Sequence, residues 1–279
     1  MMEYEYGEIG VWSEVKLDII KEYAAAYTRI MRAQQRDRIP SLYWIYVDAY
    51  AGPGYHLSKT SGELVEGSPL VALNTTPPFD EYHFIDADSV RADHLRDLVQ
   101  DRPDVSVYTD DCNKVLIEKV FPRADYKKYQ RGLCLLDPYN IDLRWEVIEA
   151  AGKSRSIEIF VNLMIMDINR NALRRNPEKS NARKVAQLTM LWGDESWKDA
   201  GYDNVPTLFE QSVPQKVPNE RFAEAFRQRL QKKAGFQFVP EPMPMKNKTG
   251  SIIYYLYFAS QNAAGMGVVS DIFNKYRNR

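Results

Sequence analysis

Short apolar runs alternate with amphipathic stretches along most of this 279-residue chain. Val15, Ile19, Ile20, Tyr23, Tyr27, Ile30 and Met31 recur at helical spacing and predict a long leading helix over 13–35, with Ser13 placed to cap it. Pro40 interrupts, and 42–47 (LYWIYV) is β-rich and short enough to be a buried strand. The same motif returns at 82–85 before Asp86, at 105–108 before Asp110, at 133–136 before Asp137, and at 157–165. Helical segments fall between: 69–73 behind Ser68-Pro69, 89–99 with Leu95 and Leu98 inward, 113–120, and 143–151 behind an Asp142 cap. Strands alternating with helices predict right-handed βαβ units, a mostly parallel sheet and the α/β class.

The later chain reads differently. Asn219 is placed to cap a helix in which Phe222, Phe226 and Leu230 share a face, and Gly235 suits its end. A terminal strand pair is expected at 236–239 and 252–259, joined by PEPMPMKNKTG, whose prolines predict an exposed connection. Two long connections remain, 55–67 and a mainly helical insertion about 167–218, within one domain over 1–279.

Composition changes this picture little. With 37 basic and 38 acidic side chains the formal charge is −1, which excludes a general attraction for nucleic acid or anionic membrane. Cys112 and Cys134 lie outside any metal-binding spacing and are expected as reduced thiols. The first residues lack the basic and apolar regions of a signal peptide, and no apolar run reaches membrane-spanning length. A cytoplasmic protein is expected.

Candidate chemistry gathers at the strand ends, where ligands of open parallel sheets bind. Asp48, Asp86, Asp110 or Asp111, and Asp137 make one edge acidic, although a single such residue also serves as a turn or helix cap. After Asp48, the stretch Tyr50, Ala51, Gly52, Pro53 and Gly54 forms a turn whose glycines admit unusual torsions and a close ligand. A nicotinamide dinucleotide turn would carry a third glycine and lead directly into a helix, and Asp48 would repel its diphosphate. S-adenosylmethionine, with an ammonium, a sulfonium and a ribose diol but no phosphate, fits the charges better. On that reading Asp86 and Ala87 face the ribose, Asp111 and Cys112 the adenine, and Asp137, Pro138 and Tyr139 close the donor site; Asp88 reads as a helix cap.

The ordered motifs DAYAGPG, FIDAD, TDDC and LDPYN resemble those of class I S-adenosylmethionine-dependent methyltransferases. More narrowly, the chain is similar to the three-Cys-motif partner protein family, through Trp12 and Lys16, the Asp48–Gly54 turn, the Gly67–Leu70 step and Asp137–Tyr139. This covers most of 12–165 and, more weakly, the closing YYLYFAS strand. The resemblance implies a Rossmann-like methyltransferase fold with an antiparallel C-terminal strand, and a partner that looks like a radical-type iron–sulfur enzyme. The chain departs from the amino-methyltransferase signature, because Asp137-Pro138-Tyr139-Asn140 has one proline where two are usual.

Methyl transfer requires mainly positioning and a local field, so the absence of a nucleophile–base pair is no objection. Tyr139 is placed to stack on a planar acceptor or to pack under the sheet edge; Tyr55 and His56 follow the turn, with His56 a candidate base or a solvated loop residue. In 167–184, Arg170, Arg174, Arg175, Lys179, Arg183 and Lys184 face two acidic residues, a cluster suited to a nucleic-acid or nucleotide phosphate or simply to solvent. Three readings follow: a methyltransferase, a docking subunit that retains the fold, and a nicotinamide-dependent oxidoreductase.

Overall fold

A computed structural model describes residues 4–206, 212–247 and 249–277. The chain opens with β1 (Glu8–Ile9) and α1 (Val11–Asp37), followed by β2 (Tyr43–Asp48), the hairpin β3 (Tyr55–Ser58) and β4 (Leu64–Glu66), and α2 (Ser68–Leu73). Next come β5 (Glu81–Ile85), α3 (Ser89–Leu98), β6 (Val105–Tyr108), α4 (Cys112–Val115), β7 (Gln130–Leu136), α5 (Trp145–Ser154) and β8 (Ile157–Leu163). Then follow α6 (Ile165–Asn171), α7 (Ala182–Trp192), α8 (Trp197–Gly201), β9 (Tyr202–Pro206), β10 (Ser212–Lys216), α9 (Asn219–Lys232), β11 (Met243–Lys246), β12 (Ile252–Ala259) and α10 (Ala263–Arg277).

Seven strands build the central sheet in the order β11-β12-β8-β7-β2-β5-β6. From β6 to β8 all neighbours run parallel, whereas β12 is antiparallel to both β8 and β11. Mostly parallel, flanked by helices and carrying an antiparallel C-terminal strand, this is the Rossmann-like methyltransferase fold. Strand alternation divides the core in two. Trp44, Tyr46, Leu133, Leu135 and Phe258 pack with Ile19, Tyr23 and Phe273 on one face, under α1 and α10. Ile45, Val47, Cys134, Leu136 and Tyr257 pack with Val147, Phe222 and Phe226 on the other, under α5 and α9.

Several local expectations need correction. Helix α1 starts at Val11 behind Gly10, whose carbonyl accepts the Ser13 and Glu14 N–H groups, so Ser13 lies inside the helix rather than capping it. Asp142 and Asn219 do not cap either: the Asp142 carboxylate accepts from the Tyr50 hydroxyl, and the Asn219 carbonyl oxygen accepts from Asn169 Nδ2. Leu95 is fully buried, but Leu98 remains 42% exposed.

The expected strand at 236–239 is a single bridge between Phe238 and Ser260, and the strand forms instead in the proline-rich stretch. Pro244 is tolerated because β11 lies at the edge of the sheet, where its missing N–H leaves the pairing with β12 intact, while Met243 and Met245 alternate into the core. The insertion holds α7 and α8 together with the antiparallel pair β9 and β10, which the apolar pattern did not announce.

Candidate functional site at the sheet's switch point

From β2 the chain moves outward to β5 and β6, then crosses back to β7 and β8 on the other side. The loops leaving β2 and β7 therefore diverge, and the crevice between them is where an open α/β sheet binds ligands. The β2 loop is stitched to both neighbours: Ala49 N–H donates to Leu135 O at 3.0 Å and Ala51 N–H to Ile85 O at 2.9 Å.

Asp48 is completely buried at the end of β2. One oxygen accepts the Tyr50 N–H at 3.2 Å, while Oδ2 has no hydrogen-bond partner. Burial raises its pKa to about 7, against the opposing pull of the nearby Ser68 hydroxyl and the Tyr50 N–H. A carboxyl left this way is poised between neutral and charged, and a cation placed beside it would settle the charge.

Gly52 and Gly54 both have positive φ, +67° and +94°. At Gly54 the close neighbour is not open space, since an added Cβ would stand 2.9 Å from Leu98 Cδ1 and 3.3 Å from Leu95 Cδ1. That glycine admits α3. Gly52 faces the candidate acceptor side, its virtual Cβ lying 3.7 Å from His56 Cε1 and 3.8 Å from the Tyr139 hydroxyl. The Gly67 N–H donates to Gly54 O at 2.6 Å, so the GSPL step docks directly on the turn.

Asp86, buried at the end of β5, accepts the Gly52 N–H at 2.9 Å and, through its other oxygen, the Asp88 N–H at 2.9 Å. It pins the turn, and each oxygen keeps lone-pair capacity for a ligand hydroxyl. Asp88 caps α3 through Val90 and Arg91 as the sequence predicts, and Ala87 is exposed beside it.

Across the crevice, Asp137 is held from two sides. Lys16, from α1, forms a salt bridge to Oδ2, and Asn162 Nδ2, from β8, donates to Oδ1. Burial pushes the Lys16 pKa down, but the Asp137 carboxylate more than offsets this and the ammonium stays charged. Pro138 is buried, and Tyr139 is exposed with the Arg91 guanidinium 5.2 Å from its ring centroid. Burial and the Lys16 charge together hold the His56 imidazole below its usual pKa, against the pull of Asp137, so it is neutral at pH 7.

Four of the predicted positions thus converge, Asp48, Asp86, Asp137 and the Gly52 turn, with His56 and Tyr139 alongside. Asp111 and Cys112 form a separate corner beyond β6. Asp111 caps α4, accepting the Asn113 N–H at 3.0 Å and Asn113 Nδ2 at 2.9 Å. Burial lifts the Cys112 thiol to a pKa of about 12; Tyr50 bonds this corner by donating to Asp142 at 3.1 Å. Arg170, Arg174 and Arg175 are exposed: Arg174 donates to Lys179 O at 2.8 Å and Arg175 lines an open cleft of about 860 Å³ with Lys216 and Asn219, away from the glycine turn. Among the described residues, the member of that basic cluster with an acidic partner is Lys184, with Asp167 at 3.0 Å.

The turn is roofed. Ala51, Gly52, Pro53 and Gly54 are all buried. β1 pairs with β3, Ser58 donates to Glu14 at 2.7 Å, Tyr4 stacks on His94 and Tyr6 packs edge-on to Tyr55, so the N-terminal segment, the hairpin and α3 close against one another. Neither this roof nor the bonding of Lys16 to Asp137 was expected. A signal for the latter existed: Lys16 lies three, four and seven positions before Ile19, Ile20 and Tyr23, on the apolar stripe of α1, where an unpaired lysine would be costly.

Among the described residues no group of three His, Cys, Asp or Glu side chains could hold a metal ion, and no helix is long and apolar enough to cross a membrane. No protein-family model and no curated protein matches the chain. Solved structures similar to it include protein LPL1258 from Legionella pneumophila, 11% identical over 93% of this chain and 92% of that one, with a TM-score of 0.44. Others are the DszA carbon methyltransferase, 12% identical over 88% of this chain and 54% of that one (TM-score 0.44), and the methyltransferase domain of bacterial CtHen1-CN, 10% identical over 87% and 99% (TM-score 0.40). At such identities the chemistry of the site rests on its own geometry.

Proposed function

We propose that this chain binds S-adenosylmethionine in the crevice and acts as a methyltransferase. The observation that carries the reading is the buried Asp48 Oδ2 without a partner, next to a glycine turn at the sheet's switch point. Asp48 would receive the ligand's ammonium, Asp86 with Ala87 its ribose diol, and the Tyr50–Gly54 backbone its flank, with Asp111 and Cys112 toward adenine. When bound, that cofactor supplies an electrophilic methyl group. Of the chain's own residues, Tyr139 under Arg91 offers a flat surface to a planar acceptor, neutral His56 is able to take a proton, and Lys16 keeps Asp137 oriented. The acceptor class is nucleic acid, nucleotide or protein; Tyr55 lies on its path, and Arg170, Arg174 and Arg175 would meet phosphate only in a long acceptor that reaches the outer cleft.

A second reading makes the chain a docking subunit of the three-Cys-motif partner type, acting in the cytoplasm beside an iron–sulfur protein. The roof over the turn favours it, because a partner that lifted the hairpin would control access. A nicotinamide role is disfavoured: the turn enters β3, not a helix, so no helix N-terminus receives a diphosphate.

Calorimetric titration with S-adenosylmethionine and with NAD tests these readings. S-adenosylmethionine is expected to bind, Asp48→Asn and Asp86→Ala to weaken it at least about tenfold, equivalent to about 1.4 kcal/mol, and NAD to give no heat. Wild-type affinity in Asp48→Asn would sink the assignment.

A further inference from the structure

We infer that a second ligand site, for the phosphate group of a small phosphorylated molecule, lies at the opposite edge of the central sheet. There, where β7 and β8 begin and β12 ends, a cavity of about 430 Å³ is lined by Tyr27, Arg131, Arg155, Glu158 and Asn262 among others. It is separate from the crevice at the strands' carboxyl ends.

Three independent features give it an anion-binding character. First, Arg131 and Arg155 share one aromatic platform, their guanidinium carbons 4.3 and 5.8 Å from the Tyr126 ring centroid. Arg131 donates through one nitrogen to the Tyr126 and Gln130 carbonyls, which orients it and leaves its other N–H groups available. Neither guanidinium has a carboxylate at ion-pair distance among the described residues, and both border the same cavity. Two uncompensated guanidiniums match the double charge of a phosphate monoester and the bidentate geometry of its oxygens.

Second, Tyr27, only 3% exposed, belongs to the cavity wall, and its hydroxyl is buried with no hydrogen-bond partner. A buried donor left unpaired is costly, and a ligand oxygen that displaced the wall around it would satisfy it. Burial also raises the Tyr27 pKa far above the usual phenol value, so the group is a donor at any working pH. Third, the 15-residue helix α10 begins here: Asn262 Oδ1 accepts the Ala264 N–H at 3.0 Å, and Ala263 lines the cavity, so the positive end of the helix faces it.

Glu158 is the one acid in the wall. Its two oxygens accept from Tyr23 at 2.5 Å and Ser260 at 2.8 Å, so it faces inward to partners of its own. Burial raises its pKa, which weakens its opposition to an anion.

The test is titration of the full chain with ribose 5-phosphate, inorganic phosphate and ribose, followed by calorimetry, with thermal melts as the folding control. Ribose 5-phosphate is expected to bind, and Arg131→Gln, Arg155→Gln and Tyr27→Phe each to weaken it by about tenfold or somewhat less, the loss of one hydrogen bond to a charged group. Asp48→Asn, at the other edge, is expected to leave this binding unchanged. Inorganic phosphate binding as tightly as the sugar phosphate would support the phosphate assignment with no contribution from the sugar. Ribose binding as well as its phosphate, undiminished binding in both arginine variants, or no binding of either phosphate by a fully folded wild type would overturn it.

Discussion

The two edges of the central sheet handle charge in opposite ways. At the carboxyl ends of the strands the acids are committed: Asp86 pins the glycine turn, Asp88 and Asp111 cap helices, and Asp137 is held by Lys16 and Asn162. Among the described residues there, only the buried Asp48 Oδ2 is left over. At the amino ends, Arg131 and Arg155 stand on Tyr126 with no acid opposite them. An edge rich in charge is therefore not the one with most charge to offer a ligand. Structural duties account for nearly all the acids that look functional in the sequence, and the sites to test are those left with something unpaired.

Substitutions should separate the two edges by their cost to folding. Lys16→Met is expected to be the most damaging, because it strands a part-buried Asp137 carboxylate; breaking such a pair costs about 3–5 kcal/mol, read as a lower urea midpoint. Adding Asp137→Asn to that variant should recover much of the loss, and failure to recover it would mean that Lys16 matters through its packing.

Asp48→Asn should act next, and through pH. In the fold the Asp48 pKa is about 7, against 3.8 for the free side chain, so between those values the folded state holds a proton that the unfolded state has released. Stability contributed by this group is thus full below about pH 4 and declines as pH rises to about 7, by up to about 4 kcal/mol over the window. Asp48→Asn should flatten that slope and melt higher than the wild type at pH 8. A bound cation would reverse the preference, so affinity for S-adenosylmethionine should rise with pH through neutrality in the wild type alone.

Asp88→Ala should cost about 1 kcal/mol, the ordinary value of a helix cap, by urea unfolding. Smallest of all, Arg155→Gln should change stability by about 0.5 kcal/mol or less, because among the described residues its charge meets only the Tyr126 ring, 5.8 Å from the centroid, on an exposed side chain. A large loss there would erase the contrast between the edges.

What could be read from the residues follows from how local each cause is. The buried strands announce themselves as short β-rich runs, α1 by its apolar stripe, and Asp88 by its place before a helix. The positive-φ glycines of the turn are equally local. Lys16 and Asp137, by contrast, are 121 positions apart, and only the folded sheet brings them together. Met243–Lys246 was hidden by its prolines, since a rule that bars proline from a ladder does not hold at an edge. Asp142 and Asn219 read as caps because their type suits one, whereas Tyr50 and Asn169 compete for the same oxygens across 92 and 50 residues. Arg131 and Arg155 carry no motif, so nothing in their surroundings along the chain marks their meeting.

The proline in β11 has a consequence for how copies of this molecule meet. An outermost strand usually offers a full row of donors and acceptors on which a foreign chain can template itself. Pro244 deletes a donor from the middle of that four-residue rim, so β-addition there would begin with a gap, and the sheet ends where β11 ends.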